Sequence, residues 1–423
     1  MRLRVAGVIT LVLLAGCGAS PGGTGPTTTA PADTATAGPG TATTAGPPTA
    51  DSPATTATAA DGTVASAAVA TATATPGGER VEVDGDLDAN ATRVFERIER
   101  STGEEVEPSR VVVRHAVFGG GLGYDDPVKR IFHFTATRPY VDSTRGMTRR
   151  AGKVYVHPGD GTPDEVEHTL AHEFVHVVQF RTGMVPWIDT SPPHRDRFQA
   201  NAMLAEGGAV YVADRYAERY GLNSTGHRER ARQRYEAGPT GTRYIYSLYY
   251  FGARYAAREI DSPDNLSALY ENRPTTSEQV LHDLSPAAEP PRNLTVSYER
   301  RGWRVPRTDR MGELFVRVAL RDQLPRSVAA PAAAGWGNDE IAVFRNGQVA
   351  AVAWTLRWDD PANATAFADA FETYRERRST AYDFRLVRVD ADTTVVFGGD
   401  PSFVANATAS ADDAAVTVTA PPE

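Results

Sequence analysis

The sequence predicts an α+β protein, with a small sheet leading into a run of helices and a smaller α+β lobe after them. A disordered N-terminal tether precedes this folded part. Three observations carry the prediction. Residues 18–78 are almost entirely Ala, Thr, Gly, Pro and Ser, with no aromatic residue, so they cannot bury enough apolar surface to offset their ordering entropy. Short β-branched runs such as Val111-Val112-Val113 come before a stretch, from 163 to about 285, where apolar residues recur at helical spacing. Pro286, Pro290 and Pro291 then punctuate the chain before a second mixture of strands and helices.

Arg2 and Arg4 open the chain, Val5 to Leu14 are apolar, and Leu14-Ala15-Gly16-Cys17 follows. The apolar run is too short to span a bilayer and has the form of a signal-peptide core. Leu-Ala-Gly-Cys resembles the lipobox of bacterial and archaeal lipoproteins. That resemblance implies a signal peptide with lipobox over residues 1–17, cleaved so that Cys17 becomes the lipidated mature N-terminus, and a chain anchored to the cell membrane on its outer side. Residues 18–78 then act as a flexible tether with an r.m.s. span of about 45 Å, and their Ser/Thr/Pro bias fits an O-glycosylated stalk. Asn-X-Ser/Thr triplets begin at Asn90, Asn223, Asn265, Asn293, Asn363 and Asn406, each a candidate N-glycan acceptor.

Charge and cysteine content exclude other classes. With 44 basic against 53 acidic side chains, the net charge of -9 opposes a nucleic-acid partner, whose phosphates need a basic surface. Arginine carries nearly all the positive charge, the lysines being Lys129 and Lys153. The single cysteine leaves neither an intramolecular disulfide nor a cysteine-based zinc site.

The first folded domain is expected over 79–288. It opens with a helix over 79–100, and strands follow at 111–118, 131–135 and 153–157. Thr162 and Glu165 have capping-box spacing, Pro163 sits at a first-turn position and Gly183 is a natural stop, so a helix is predicted over 163–182. A second helix is predicted over 197–220. The C-terminal lobe is expected over 289–405, with a helix near 309–324, strands at 340–344 and 349–356, a helix over 361–377, and strands at 384–389 and 393–397. Residues 406–423 are expected to be a disordered tail.

The 163–182 helix carries His172-Glu173-Phe174-Val175-His176. Residues four apart project side by side from one helix face, so the two imidazoles can share a metal. Glu173 lies beside them, placed to act on a water rather than to ligate. Two His and one carboxylate leave an open position on zinc, Zn2+, and the ion lowers the pKa of water held there. A third ligand must follow. Gln179 and Thr182 stand where an HExxHxxGxxH pattern would place glycine and histidine. In the second helix, Leu204-Ala205-Glu206-Gly207-Gly208-Ala209 sets a carboxylate among small apolar residues, costly unless paired or metal-bound. Those small residues would also let this helix approach the first one closely. Glu206 is therefore the candidate third ligand.

The HExxH motif followed by Glu206-Gly207-Gly208-Ala209 resembles gluzincin metallopeptidases, and in its Glu-Gly-x-Ala form surface metalloprotease-like proteins of archaea and bacteria. Thr276-Ser277-Glu278-Gln279-Val280-Leu281-His282 and Gly335-Trp336-Gly337-Asn338-Asp339, ahead of Trp358-Asp359, resemble segments of the same proteins, so the likeness covers most of 160–375. It implies a zincin-like catalytic domain, with zinc held by His172, His176 and Glu206 and Glu173 as general base. Better-known gluzincins often carry an acid four residues after the ligand Glu. Here that residue is Val210, which leaves Asp214 as the candidate for orienting the histidines.

Other residues are expected in supporting roles. His168 lies one turn before His172 and is expected outside the ligand set. His194 falls in a Pro-rich connector, and His282 is a candidate oxyanion donor or structural hydrogen-bonder. Tyr244, Tyr246, Tyr249 and Tyr250 are candidates for an oxyanion contact or for core packing. Trp336 and Trp358 are expected to anchor packing, and Gly119-Gly120-Gly121-Leu122-Gly123 to form a loop. The sequence thus leads to a lipid-anchored, extracytoplasmic zinc metallopeptidase acting on a peptide or protein substrate. The alternative is a non-catalytic, metal-stabilised cell-surface binding protein.

Overall fold

Asn90 starts the first helix by accepting a hydrogen bond from Arg93 N at 2.9 Å, and Gly103 ends it in the left-handed region. The computed structural model describes residues 80–115, 126–135, 144–150, 153–189, 192–412 and 415–422. Within these, β1 (Val83–Asp84), α1 (Ala91–Thr102), β2 (Arg110–Val113), α2 (Pro127–Ile131), β3 (Arg145–Arg149) and β4 (Lys153–His157) come first. The four strands form one sheet in the order β1-β2-β4-β3. β1 and β2 pair in parallel, as do β2 and β4, and β3 runs antiparallel along the edge. α1 buries Val94, Phe95 and Ile98, and Phe95 meets Phe174 edge-on at 5.0 Å.

The expected strand over 131–135 is not formed. Asp126 caps and Pro127 pre-sets the short α2, and His133 then turns at φ 56°. Phe132 and Phe134 reach the core through that turn rather than through strand alternation. β3 was not anticipated, since Arg145, Gly146 and Arg149 carry little β propensity; its pairing with β4 supplies the order. The glycine-rich 119–123 segment, Cys17 and the tether lie outside the described residues.

Helices follow: α3 (Pro163–Arg181), α4 (Arg195–Tyr220), α5 (His227–Ala237), α6 (Thr240–Glu259), α7 (Ala268–Glu271) and α8 (Ser277–Leu281). The capping box of Thr162 and Glu165 is formed as the sequence predicts. The small residues of α4 serve the expected approach to α3, where Ala205 O accepts from Gln179 Nε2 at 2.8 Å, and a second one as well. A Cβ on Gly207 would lie 2.1 Å from the backbone of Gly252 in α6, so α4 and α6 also cross closely.

The remaining elements are β5 (Thr295–Glu299), β6 (Arg304–Asp309), α9 (Gly312–Leu320), α10 (Arg326–Ala333), β7 (Trp336–Asn346), β8 (Val349–Trp358), α11 (Pro361–Arg377), β9 (Asp383–Arg388), β10 (Thr393–Gly399), α12 (Pro401–Asn406), β11 (Thr408–Asp412) and β12 (Ala415–Thr419). Strands β6-β7-β8-β10-β9 make an antiparallel sheet, and β11-β12-β5 a second. Asp339 ties the larger sheet to α9. Its carboxylate accepts from Met311 N, Gly312 N, Trp336 Nε1 and Trp354 Nε1, all at 2.8–2.9 Å.

Two boundary expectations are corrected. Residues 408–419 are not a disordered tail. β12 pairs in parallel with β5, and its alternation buries Val416 and Val418 beside Phe344 and Phe403. Nor do separate cores meet at 288/289, because Glu79–Glu423 falls in one compact unit. Phe132 packs on Phe315, Trp354 and Phe384 at 5.3–5.6 Å, and Phe134 stacks on Phe315 at 4.7 Å. The class is mixed α+β, and no helix among the described residues is long and apolar enough to cross a membrane.

Candidate metal centre

The helical repeat of α3 stacks His168, His172 and His176 along one face, and α4 brings Glu206 opposite the last two. His172 Nε2 and His176 Nε2 are 3.1 Å apart. Glu206 Oε2 lies 3.4 Å from the first and 3.3 Å from the second. Three donor atoms on one tetrahedral zinc with bonds of about 2.0–2.1 Å are separated by roughly 3.3 Å. The triangle of donors therefore has the edge length that zinc needs. Among the described residues Glu206 Oε2 and His172 Nδ1 have no hydrogen-bond partner although both are buried, and the first of these is what a cation would satisfy.

The tautomer of His176 is set by its own helix. Its Nδ1 lies 2.7 Å from Gln179 Oε1, an acceptor, so Nδ1 carries a proton, and in the neutral ring Nε2 turns a lone pair into the triangle. Gln179 is itself fixed, donating from Nε2 to Ala205 O at 2.8 Å and Tyr270 Oη at 2.7 Å. Sequence reasoning saw Gln179 only as a break in a longer histidine motif. Its position three residues after His176, on the same face, is the signal that could have assigned it.

Glu173 lies beside the triangle, next to the β3 edge. Thr148 Oγ1 donates to Glu173 Oε2 at 2.6 Å, while Glu173 Oε1 is buried with no hydrogen-bond partner among the described residues. Gly146 passes so close that a Cβ there would lie 2.4 Å from the Glu173 carboxylate. All four side chains are shut away from solvent, with His172, Glu173 and His176 at 0% and Glu206 at 1% exposure. Burial pushes the Glu173 carboxyl up to about 8, against the pull of His176 and Thr148. Burial also pulls His172 down, to about 4. For Glu206 and His176 their mutual attraction outweighs burial, holding the carboxyl low and the imidazole high.

Asp214 does not orient His172 or His176. It lies 3.1 Å from His168 Nε2 and accepts from His227 N and Arg228 N at the start of α5. His168 also meets Ser224 Oγ at 2.8 Å through Nδ1 and stays outside the triangle, as expected. His227 gave no sequence signal. It is buried, stacks on His168 at 3.9 Å and sits 5.3 Å from His172, with neither ring nitrogen hydrogen-bonded among the described residues.

Of the tyrosines, Tyr249 comes nearest, its ring 6.3 Å from that of His172. Tyr246 packs against Tyr249, Tyr244 against Phe134, and Tyr250 against Tyr235. His194 accepts from Arg197 N to cap α4, and His282 Nε2 meets Glu313 Oε2 at 2.8 Å, which is the structural hydrogen bond rather than an oxyanion contact. Trp336 and Trp358 are fully buried packing anchors, with indole nitrogens bonded to Asp339 and Thr394. Asn90, Asn223, Asn265, Asn293 and Asn406 are exposed. Asn363 is half-buried, its amide packed over Gly335.

Residues 300–423 match the model of a family described as a domain of unknown function, DUF8575. That span holds none of the four residues of the metal centre. No curated protein matches the chain, and no solved structure matches it.

Proposed function

We propose that this protein is a zinc-dependent metallopeptidase, anchored to the outer side of the cell membrane through lipid on Cys17, with a zincin-like catalytic domain. The observation that carries this reading is the donor triangle of His172 Nε2, His176 Nε2 and Glu206 Oε2 at tetrahedral zinc spacing, with a further carboxylate, Glu173, beside it. A bound zinc ion supplies Lewis-acid polarisation of water and of a peptide carbonyl. The chain's own residues do the rest. Thr148 holds Glu173 Oε2, which leaves Oε1 free to take the proton of an attacking water and return it to the leaving amine. Among the described residues β3 is an edge strand of its sheet beside Glu173, and an extended peptide adding a strand there would lie next to the general base. The substrate is then a peptide or protein.

The test is metal analysis joined to hydrolysis of a broad peptide library by the full chain and by Glu173→Gln. The reading requires about one zinc per chain in both and hydrolysis by the wild type alone. Equal hydrolysis by the variant would sink it.

The burial of all four residues favours a second reading, a cell-surface binding protein in which zinc only stabilises the fold. Zinc at one per chain, with no hydrolysis by the wild type across the library, would select that reading.

A further inference from the structure

Away from the histidines, the loop after α8 meets the turn between β8 and α11. Glu278, Glu289 and Asp359 each offer a carboxylate oxygen there, all within 4.8 Å of one another. Oxygens bound to one calcium ion at about 2.3–2.6 Å stand up to roughly 5 Å apart across it.

Glu278 is the unusual member. It is 2% exposed, yet among the described residues its carboxylate has neither a hydrogen bond nor an ion pair. Its neighbour Glu313 is also buried but is paired with both Arg317 and His282. A buried carboxylate without a partner is costly unless a proton or a cation neutralises it. Arg292, the nearby guanidinium, is occupied elsewhere. It donates to the carbonyl oxygens of Trp358 and Asp359 and sits 3.5 Å from Asp392, fixing the turn's backbone. The opposite wall is held by Gln279, whose Nε2 donates to Pro286 O at 3.1 Å and Ala288 O at 2.7 Å, and so secures the loop that carries Glu289. Glu289 and Asp359 are exposed at the mouth, so an ion can enter from solvent.

We propose that Glu278, Glu289 and Asp359 form a second cation site that binds a hard divalent ion of the size of calcium. An oxygen-only donor set selects such an ion over zinc. It also accounts for two sequence segments, Thr276–His282 and Trp358-Asp359, whose acids the histidine centre does not use. In the absence of an ion, burial and the repulsion of Glu313, Asp359 and Glu289 push the Glu278 carboxyl up to about 10.

The experiment is a calcium titration of the full chain with its histidine centre already saturated with zinc, read by calorimetry and by thermal unfolding. Calcium at about 10 mM is well above the roughly 0.1–1 mM Kd of extracellular calcium modules. One calcium per chain and a rise in Tm are expected. Asp359→Asn and the solvent-exposed Glu289→Gln are each expected to weaken binding about tenfold or more, since affinity follows ligand charge count. Absence of a rise, a rise reproduced by sodium chloride at equal ionic strength, or a rise unchanged in both variants would overturn the site.

Discussion

His176 Nδ1 is hydrogen-bonded to Gln179 Oε1 at 2.7 Å, less than one helical turn further along α3. The contact fixes both the ring plane and the tautomer of a candidate ligand, and Gln179 is locked in turn by Ala205 and Tyr270. Such outer contacts typically carry 10–100-fold in metal affinity. Gln179→Leu is therefore expected to weaken zinc binding by about that factor, measured by chelator competition. Gln179→Glu keeps an acceptor for His176 but loses the donor to Ala205 O, so it should recover part of the affinity. Equal losses in the two variants would mean that Gln179 acts only by packing.

Gly207 follows Glu206 in α4 and lies against Gly252 of α6. Cβ atoms would come to 2.1 Å from the Gly252 backbone in one direction and 2.0 Å from Met203 O in the other. Alanine has the better helix propensity by about 1 kcal/mol, but the obstacle is backbone and cannot rotate away. Gly207→Ala and Gly252→Ala are each expected to cost about 1–3 kcal/mol in denaturant unfolding. Gly103→Ala, which has open space for a Cβ but a φ of 71°, should cost about 1 kcal/mol through backbone strain alone.

Asp196 is buried at the start of α4 and accepts from Ser277 N at 2.8 Å and Ser277 Oγ at 2.6 Å. Burial pushes its carboxyl up to about 7, with Asp339 adding to the shift and Ser277 and Arg310 opposing it. A folded-state value above the unfolded one means the protonated form is favoured by folding. Its contribution is fully present below about pH 4 and is lost as the pH rises through about 7. Asp196→Asn removes the titration, so its stability relative to wild type should rise between pH 4 and 8 by on the order of a few kcal/mol. A difference that stays flat with pH would refute the assignment.

Local signals were legible in the sequence and long-range pairings were not. Thr162, Pro163 and Glu165 lie within one turn and place the start of α3 where the structure has it. Glu206 could be picked out because a carboxylate among Ala and Gly has no local way to be solvated. By contrast, β3 exists because β4 runs beside it, and Gly146 is explained only by the Glu173 carboxylate that it must clear. β12 alternates Val416 and Val418 with Ala and Thr in a five-residue run, and its order comes from pairing with β5 more than 100 positions earlier. His227 reaches the histidine row only through the α4–α5 turn, and neither periodicity nor spacing could foretell that contact.

Metal removal tests the donor triangle whichever reading of its chemistry holds. With no ion, two imidazole nitrogens and a carboxylate oxygen face one another inside the protein, and Glu206 Oε2 has no hydrogen-bond partner among the described residues. Folding would then bury groups that only partly compensate each other, and an ion that binds the native state alone stabilises it by mass action. At a zinc concentration 100 times Kd that stabilisation is about 2.7 kcal/mol. Chelation should accordingly lower Tm, and zinc at one equivalent should restore it. In Glu206→Gln the ligand charge is gone, so both the baseline Tm and its response to zinc should change, with the response reduced most. A protein whose Tm ignores both chelator and zinc, while Glu206→Gln unfolds normally, would show that His172, His176 and Glu206 form only a buried ion-pair network and hold no metal.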